Sequence, residues 1–161
     1  MSKEIIYIDM DGVLANFGKA KRWHFENNPG LEERFKRSPD LIPGIFKDLE
    51  PIDQAIDSVF KLHDTANFEL FIATTSPWGN PEAAMHKRLW VEKHFDDLFH
   101  KKMFITHRKS LLLGDYLIDD RTDTDAVDFT GELLSFGWNY KQEKWNPYPT
   151  WQSVLERFDV V

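Results

Sequence analysis

Residues 5–17 read IIYIDMDGVLANF, and the fold turns on how that stretch is read. Ile5, Ile6, Tyr7 and Ile8 form a short, wholly apolar run, the pattern of a strand buried on both faces. Asp9 and Asp11 follow it directly. Two carboxylates two residues apart at a strand end point to the same side and repel. A chain that places them there needs something to offset that repulsion.

Four more short apolar runs recur: Leu70–Ala73, Phe104–Ile105, Tyr116–Ile118 and Leu133–Phe136. Helical patterns lie between them. Ile52, Ala55, Ile56, Val59 and Phe60 fit the buried face of a helix opened by Pro51. Asn80, Pro81 and Glu82 read as cap, first turn and dipole-matched acid of a helix reaching about Phe95. Trp151, Val154, Leu155 and Phe158 mark a terminal amphipathic helix. Strands alternating with helices predict an α/β fold, a Rossmann-like three-layer arrangement with a parallel sheet covered on both faces. Its site should lie at the carboxyl ends of the strands.

One stretch breaks the alternation. From Phe17 to Glu50 the chain is polar, basic and aromatic, interrupted by Pro29, Gly30, Pro39, Pro43 and Gly44. It reads as a small helical cap, residues 17–50, inserted after the first strand into a core of residues 1–16 and 51–161. Residues 138–150, WNYKQEKWNPYPT preceded by Gly137, are expected to form a surface loop.

The bulk properties narrow the function. A chain of 161 residues makes one ordinary domain, and 42% hydrophobic with 29% charged residues is a globular composition. Twenty basic against 27 acidic residues give a net charge of −7, which disfavours a nucleic-acid polymer as partner. The absence of cysteine excludes disulfides and thiolate metal sites. No run approaches membrane-spanning length and the N-terminus lacks a signal-peptide apolar region, so a cytoplasmic protein without membrane contact is expected.

Polar clusters follow four of the strands: Asp9-Met10-Asp11-Gly12, Thr74-Thr75-Ser76, Lys109, and Asp119-Asp120-Arg121. Each alone has an ordinary reading as a turn, a helix cap, a solvated lysine or a strand exit. Their order after successive strands brings all four to one sheet edge. Asp9, Asp11 and Asp119 or Asp120 then form an all-oxygen set suited to Mg²⁺. Lys109, Thr75 and Ser76 add the charge and donors that a phosphoryl group requires. One aspartate can attack phosphorus while the other handles protons. The six histidines show no metal-binding spacing. Trp78 and Lys87 are further candidates to border the site. Lys19, Lys21 and Arg22 read as a solvated helix face, and Trp23, Phe25, Phe35 and Phe46 chiefly as packing of the insertion.

On these residues the sequence resembles the haloacid dehalogenase superfamily of aspartate-nucleophile phosphohydrolases. The resemblance implies Asp9 as nucleophile and Asp11 as the acid that protonates the leaving oxygen and then activates water. It implies phosphate binding by Lys109 and by Thr75, with Thr74 as the alternative. It implies metal ligation by Asp9, Asp120 and the backbone carbonyl of Asp11, with Asp119 beside them. DMDGVLANF, TSP, WVEKHF, RKS, LIDDR and an LEP before the second core helix further resemble the 5′(3′)-deoxyribonucleotidases. That narrower likeness implies a Mg²⁺-dependent phosphomonoesterase acting on a nucleoside monophosphate. In it Phe17, eight residues past Asp9, stacks on the base, and Ser76 makes a further substrate contact. The insertion is shorter than in animal members of that family. A phosphatase of the same superfamily for another small phosphomonoester is the nearest rival. A non-catalytic phosphate-binding module would require a special reason, since every expected side chain is present. A receiver-type signalling module fits less well, because Lys109 precedes Asp119 and Asp120 where a receiver places its lysine last.

Overall fold

The computed structural model describes residues 2–161. Five strands, β1 (Glu4–Ile8), β2 (Phe68–Thr74), β3 (Met103–Ile105), β4 (Tyr116–Asp119) and β5 (Glu132–Ser135), form one sheet in the order β3-β2-β1-β4-β5. All four pairings are parallel. β1 is therefore central, and the order reverses around it, which opens a crevice above its carboxyl end. Register continues past the strand, because Asp9 N donates to Ile118 O at 2.9 Å. Asp9 is thereby held at the lip of the sheet.

Helices α3 (Ala55–Asp64), α4 (Glu82–Phe95) and α5 (Trp151–Arg157) cover the sheet. Their buried side chains, among them Val59, Leu62, Trp90, Phe95, Trp151 and Val154, join Ile6, Ile8, Leu70 and Ile72 in one apolar cluster. A capping box starts α5: Thr150 accepts from Ser153 N, and the Ser153 side chain bonds back to Thr150.

The segment between β1 and α3 holds α1 (Phe17–Asn27), α2 (Pro29–Phe35) and a short 3-10 turn (Pro39–Leu41). Its ends are tied together where it leaves and re-enters the core. Asn16 N donates to Glu50 O and Ile52 N to Leu14 O, both at 2.7 Å. Its returning limb is deeply packed: Ile42, Ile45, Phe46 and Leu49 belong to the main core cluster. Buried Trp90 donates its indole N–H to Leu49 O at 2.7 Å, pinning that limb to α4.

Four local expectations need correction. Pro51 does not open a helix; it bridges to Ala15, and α3 begins after Gln54. The Asn80 side chain does not cap α4, because its amide donates to Asp40 O at 2.9 Å and so anchors the insertion. β3 is an edge strand, with Phe104 left 42% exposed where burial on both faces was expected. Residues 138–150 are not simply a loop. They contain an antiparallel hairpin, β6 (Trp138–Asn139) with β7 (Lys144–Trp145), whose Asn139 and nearby Asn146 are buried.

Candidate active site

The strand ends converge on a cavity of about 1290 Å³ whose floor includes Asp9, Asp11, Thr75, Lys109, Asp119 and Asp120. The turn after β1 accounts for the first two. Met10 O accepts from the backbone N–H groups of Val13, Leu14 and Ala15, and the Met10 side chain is fully buried. Asp9 and Asp11, on either side of it, are left facing the cavity. Gly12 is required here. Its φ is +79°, and a Cβ would stand 2.2 Å from Asp120 Oδ2. The first turn and the acidic pair after β4 can approach this closely only without a side chain at position 12.

Lys109 lies at the centre of the charge balance. Its Nζ is 2.9 Å from Asp9 and 2.6 Å from Asp119. Burial pulls its pKa down, but the two carboxylates outweigh burial and the net shift is upward, so Lys109 remains a cation. Asp119 is buried, and its second oxygen accepts from Arg121 N at 2.9 Å. Burial, then repulsion from Asp9, pushes its carboxyl up to about 6. Asp120 is pushed well above the usual carboxylate range by burial and by Asp9, Asp119 and Asp11. Among the described residues Asp120 has no cation within ion-pair distance.

Carboxylate oxygens of Asp9, Asp119 and Asp120 lie within 4.8 Å of one another. Three acids against one shared lysine leave negative charge in excess, and the donors are all hard oxygens. That donor set fits a divalent cation of the Mg²⁺ type.

Asp11 is served differently. Lys87, on α4 and only 1% exposed, places Nζ 2.6 Å from Asp11 Oδ2, 3.0 Å from Thr74 Oγ1 and 2.5 Å from Thr75 O. The ammonium also lies 4.7 Å from the centroid of the Phe46 ring. Each aspartate of the first motif thus has its own lysine, Lys109 for Asp9 and Lys87 for Asp11, where Lys109 with a cation was expected to serve both. The other oxygen of Asp11, Oδ1, is buried without a hydrogen-bond partner. Burial, only partly offset by Lys87, raises the Asp11 pKa.

The threonines divide the same way. Thr74 is fully buried against Lys87, whereas Thr75 is exposed, lines the cavity and donates to Thr106 O at 3.0 Å. Ser76 and Trp78 do not line the cavity; Trp78 lies beside His107 at the surface. Phe17, the first residue of α1, does line it, with its ring stacked on buried Phe46 at 5.3 Å and 23°. Lys21 also reaches the wall, while Lys19 pairs with Glu50.

Two features carried little or no sequence signal. Lys87 sits in an ordinary helical register, and only its apolar neighbours three and four residues away, Ala83, Trp90 and Val91, hint that it points inward. The hairpin at 138–145 contributes Trp138, Asn139, Tyr140, Lys141 and Trp145 to the cavity, and its aromatic content was the one available clue.

Comparison with known proteins agrees with this geometry. A family model described as 5′ nucleotidase, deoxy (pyrimidine), cytosolic type C protein matches residues 22–157. A Vibrio phage KVP40 protein provisionally named a 5′(3′)-deoxyribonucleotidase is 38% identical over 155 residues, spanning 95% of this chain and 83% of that protein. The human cytosolic-type 5′(3′)-deoxyribonucleotidase is 34% identical over 140 residues, 72% of this chain and 70% of its own. Among solved structures, a haloacid dehalogenase-like hydrolase from Xanthomonas campestris superposes with a TM-score of 0.61 at 11% identity, covering 97% of this chain and 91% of its own. A Bacillus subtilis hydrolase of that superfamily, solved bound to magnesium, gives 0.58 at 14% identity over 99% of this chain and 100% of its own. The family model spans most of the sequence and the phage and human relatives exceed 30% identity over more than two thirds of it, so the chain belongs to the 5′(3′)-deoxyribonucleotidase family of phosphoric monoester hydrolases, on a haloacid dehalogenase-like fold.

Proposed function

We propose that this protein is a Mg²⁺-dependent phosphatase of deoxyribonucleoside monophosphates that works through an aspartyl-phosphate intermediate. The observation that carries the reading is Asp9 at the end of the central strand, paired with Lys109 at 2.9 Å and grouped with Asp119 and Asp120 on the floor of a large cavity. In this reading residues 17–50 are a cap over a core of residues 1–16 and 51–161.

Asp9, Asp120 and the backbone carbonyl of Asp11 would hold the Mg²⁺, with Asp119 kept beside them by Lys109. The metal supplies charge neutralisation between the acids and a dianionic phosphate. Thr75 and Lys109 hold the phosphoryl oxygens, and Ser76 is retained as a substrate contact on family resemblance alone. A carboxylate oxygen of Asp9 attacks phosphorus in line with the ester oxygen. The P–O bond to the nucleoside breaks, and Asp11, in its acid form, gives the departing oxygen its proton. Burial raises the Asp11 pKa, which suits this role. Once ionised, Asp11 takes a proton from water, whose oxygen attacks the acyl phosphate, frees inorganic phosphate and restores Asp9.

Selection of a nucleoside rests on the aromatic side of the cavity. Phe17 offers a flat ring to a base, and stacking contributes about 1–3 kcal/mol per base. The −7 net charge disfavours a polynucleotide substrate. A cytoplasmic location is part of the proposal; among the described residues no helix is long and apolar enough to cross a membrane. A preference for pyrimidines rests on the description of the matching family model.

Phosphate release measured over a panel of nucleotides and sugar phosphates, with Mg²⁺ and with excess chelator, tests the reading. Turnover of deoxyribonucleoside monophosphates that chelator abolishes and Mg²⁺ restores is the expected result. Undiminished turnover in chelator removes the metal assignment. Sugar phosphates outperforming every nucleotide transfers the chain to the rival phosphatase reading.

A further inference from the structure

We propose that the β6–β7 hairpin is a second wall of the leaving-group pocket, with Tyr140 as a specificity-determining contact to the nucleoside; this rests on the nucleotidase reading above. Tyr140 begins the turn of the hairpin and lines the same cavity as Phe17, yet belongs to a segment more than 120 residues away. Its hydroxyl stands over the start of α1, where a Cβ on Gly18 would lie 3.4 Å from it. Phe17 is the residue before Gly18. The insertion and the hairpin therefore meet across the cavity, and an aromatic side chain comes from each.

An exposed tyrosine on a hairpin tip is commonplace. What distinguishes this one is the mounting beneath it. Asn139 is buried, and its side-chain oxygen accepts from the N–H groups of Lys141 and Gln142 at 3.1 and 3.0 Å, which sets the turn. Its amide donates to Thr122 at 2.9 Å. Asn146, equally buried, donates to Phe136 O at 2.9 Å and approaches Asp120 O at 3.5 Å. Lys141 pairs with Asp123 at 3.1 Å. Two buried asparagines spent on a short surface hairpin hold it in register with the loop that carries the acidic pair. A turn fixed in this way presents its side chain at a constant distance from the phosphate end of the cavity.

The wall is also needed. Phe17 has one ring face occupied by Phe46, which leaves its other face for a base. Tyr140, 74% exposed and with no aromatic partner among the described residues, supplies a second ring to the same cavity. An aromatic on each side of a flat base is a recurring way to hold it.

Steady-state kinetics of Tyr140→Ala and Tyr140→Phe test the proposal, with dTMP compared against glycerol 2-phosphate, which has no ring. The alanine variant should raise the KM for dTMP about tenfold more than that for glycerol 2-phosphate. The phenylalanine variant, which keeps the ring, should stay within about twofold of wild type. Equal changes for both substrates, or none, overturn the proposal, as does a phenylalanine variant as impaired as alanine. If wild type hydrolyses no nucleotide, the nucleotidase reading falls by itself. Tyr140→Ala is then read on the bulkiest good substrate of the panel against glycerol 2-phosphate, and an unchanged KM ratio overturns the hairpin wall.

Discussion

The two ends of the cavity are built from different materials. At the carboxylate end buried Asp9, Asp119 and Lys109 are joined by charge-assisted contacts of 2.6–2.9 Å, and buried Lys87 pairs separately with Asp11 at 2.6 Å. At the aromatic end Phe17, Tyr140 and Trp145 present rings, and Trp145 is 61% exposed. Buried charges tolerate almost no displacement, because an unpaired ion in a low-dielectric setting costs several kcal/mol. Exposed rings tolerate much, because stacking is weak per contact and indifferent to small shifts. The proposed function therefore puts chemistry where error is expensive, and selectivity where it is cheap. Substitutions at the two ends should differ in size and in the kinetic constant they move.

The largest effect is expected for Asp9→Asn. Without the nucleophile no phosphoenzyme should form, and turnover should fall on the order of 10⁴-fold or more. Acid-quench trapping of labelled phosphate checks this, and label recovered on Asp11 would reverse the two roles. Asp11→Asn keeps the nucleophile and should lose about 10²- to 10⁴-fold through proton transfer. Its loss should be greater for a nucleotide than for p-nitrophenyl phosphate, whose leaving group needs no proton.

Lys87→Met comes next. It strands the Asp11 carboxylate beside a vacated cationic position and should cost about 3 kcal/mol of stability, the low end of the range for a broken buried pair because Asp11 keeps some solvent contact. Denaturant unfolding measures that loss. If Lys87 only packs, the variant should be destabilised with the leaving-group dependence of kcat unaltered; if it orients Asp11, that dependence should steepen.

Phe17→Ala belongs to the other end of the cavity. It should raise the KM for a nucleotide about tenfold while a small aryl phosphate changes far less. Equal losses on both would reduce Phe17 to packing against Phe46.

The smallest expected effect is a pH dependence of stability. Asp119 has its folded-state pKa raised from 3.8 to about 6, chiefly by burial and then by Asp9. An acid with a raised folded pKa binds its proton more tightly folded than unfolded. Its ionisation therefore penalises the metal-free fold as pH rises from about 4 to about 6, and the penalty is absent below that window. Mg²⁺ favours the ionised acids, so its thermal stabilisation should be greater at pH 7.5 than at pH 5. A Tm increment that is independent of pH would show that these acids do not take part in binding.

Much of the carboxylate end was legible from local pattern. A parallel sheet collects strand ends at one edge, so Asp9, Thr75, Lys109 and Asp120 could be grouped by counting apolar runs. Lys87 was harder, because an amphipathic helix offers a lysine many ways to be solvated, and only packing of α4 under Thr74 and Phe46 turns this one inward. The hairpin was hidden for another reason. Two-residue strands have no periodicity to detect, and β6 and β7 are fixed by Asn139 and Asn146 reaching partners distant in sequence. Asn80 misled in the same manner. Its local pattern suits a helix cap, yet its amide is drawn to Asp40 O across 40 residues.

What the sequence determined by itself is the α/β alternation and the gathering of Asp9, Asp11, Lys109, Asp119 and Asp120 at one sheet edge, because both follow from periods and neighbours within one strand or turn. Which lysine serves which aspartate, which threonine faces the cavity and which aromatics wall it were decided by tertiary structure alone. Those choices depend on distances of a few ångströms between segments up to about 120 residues apart, where a hydrogen bond or ion pair is made or lost within one side-chain rotation and no local pattern records the outcome.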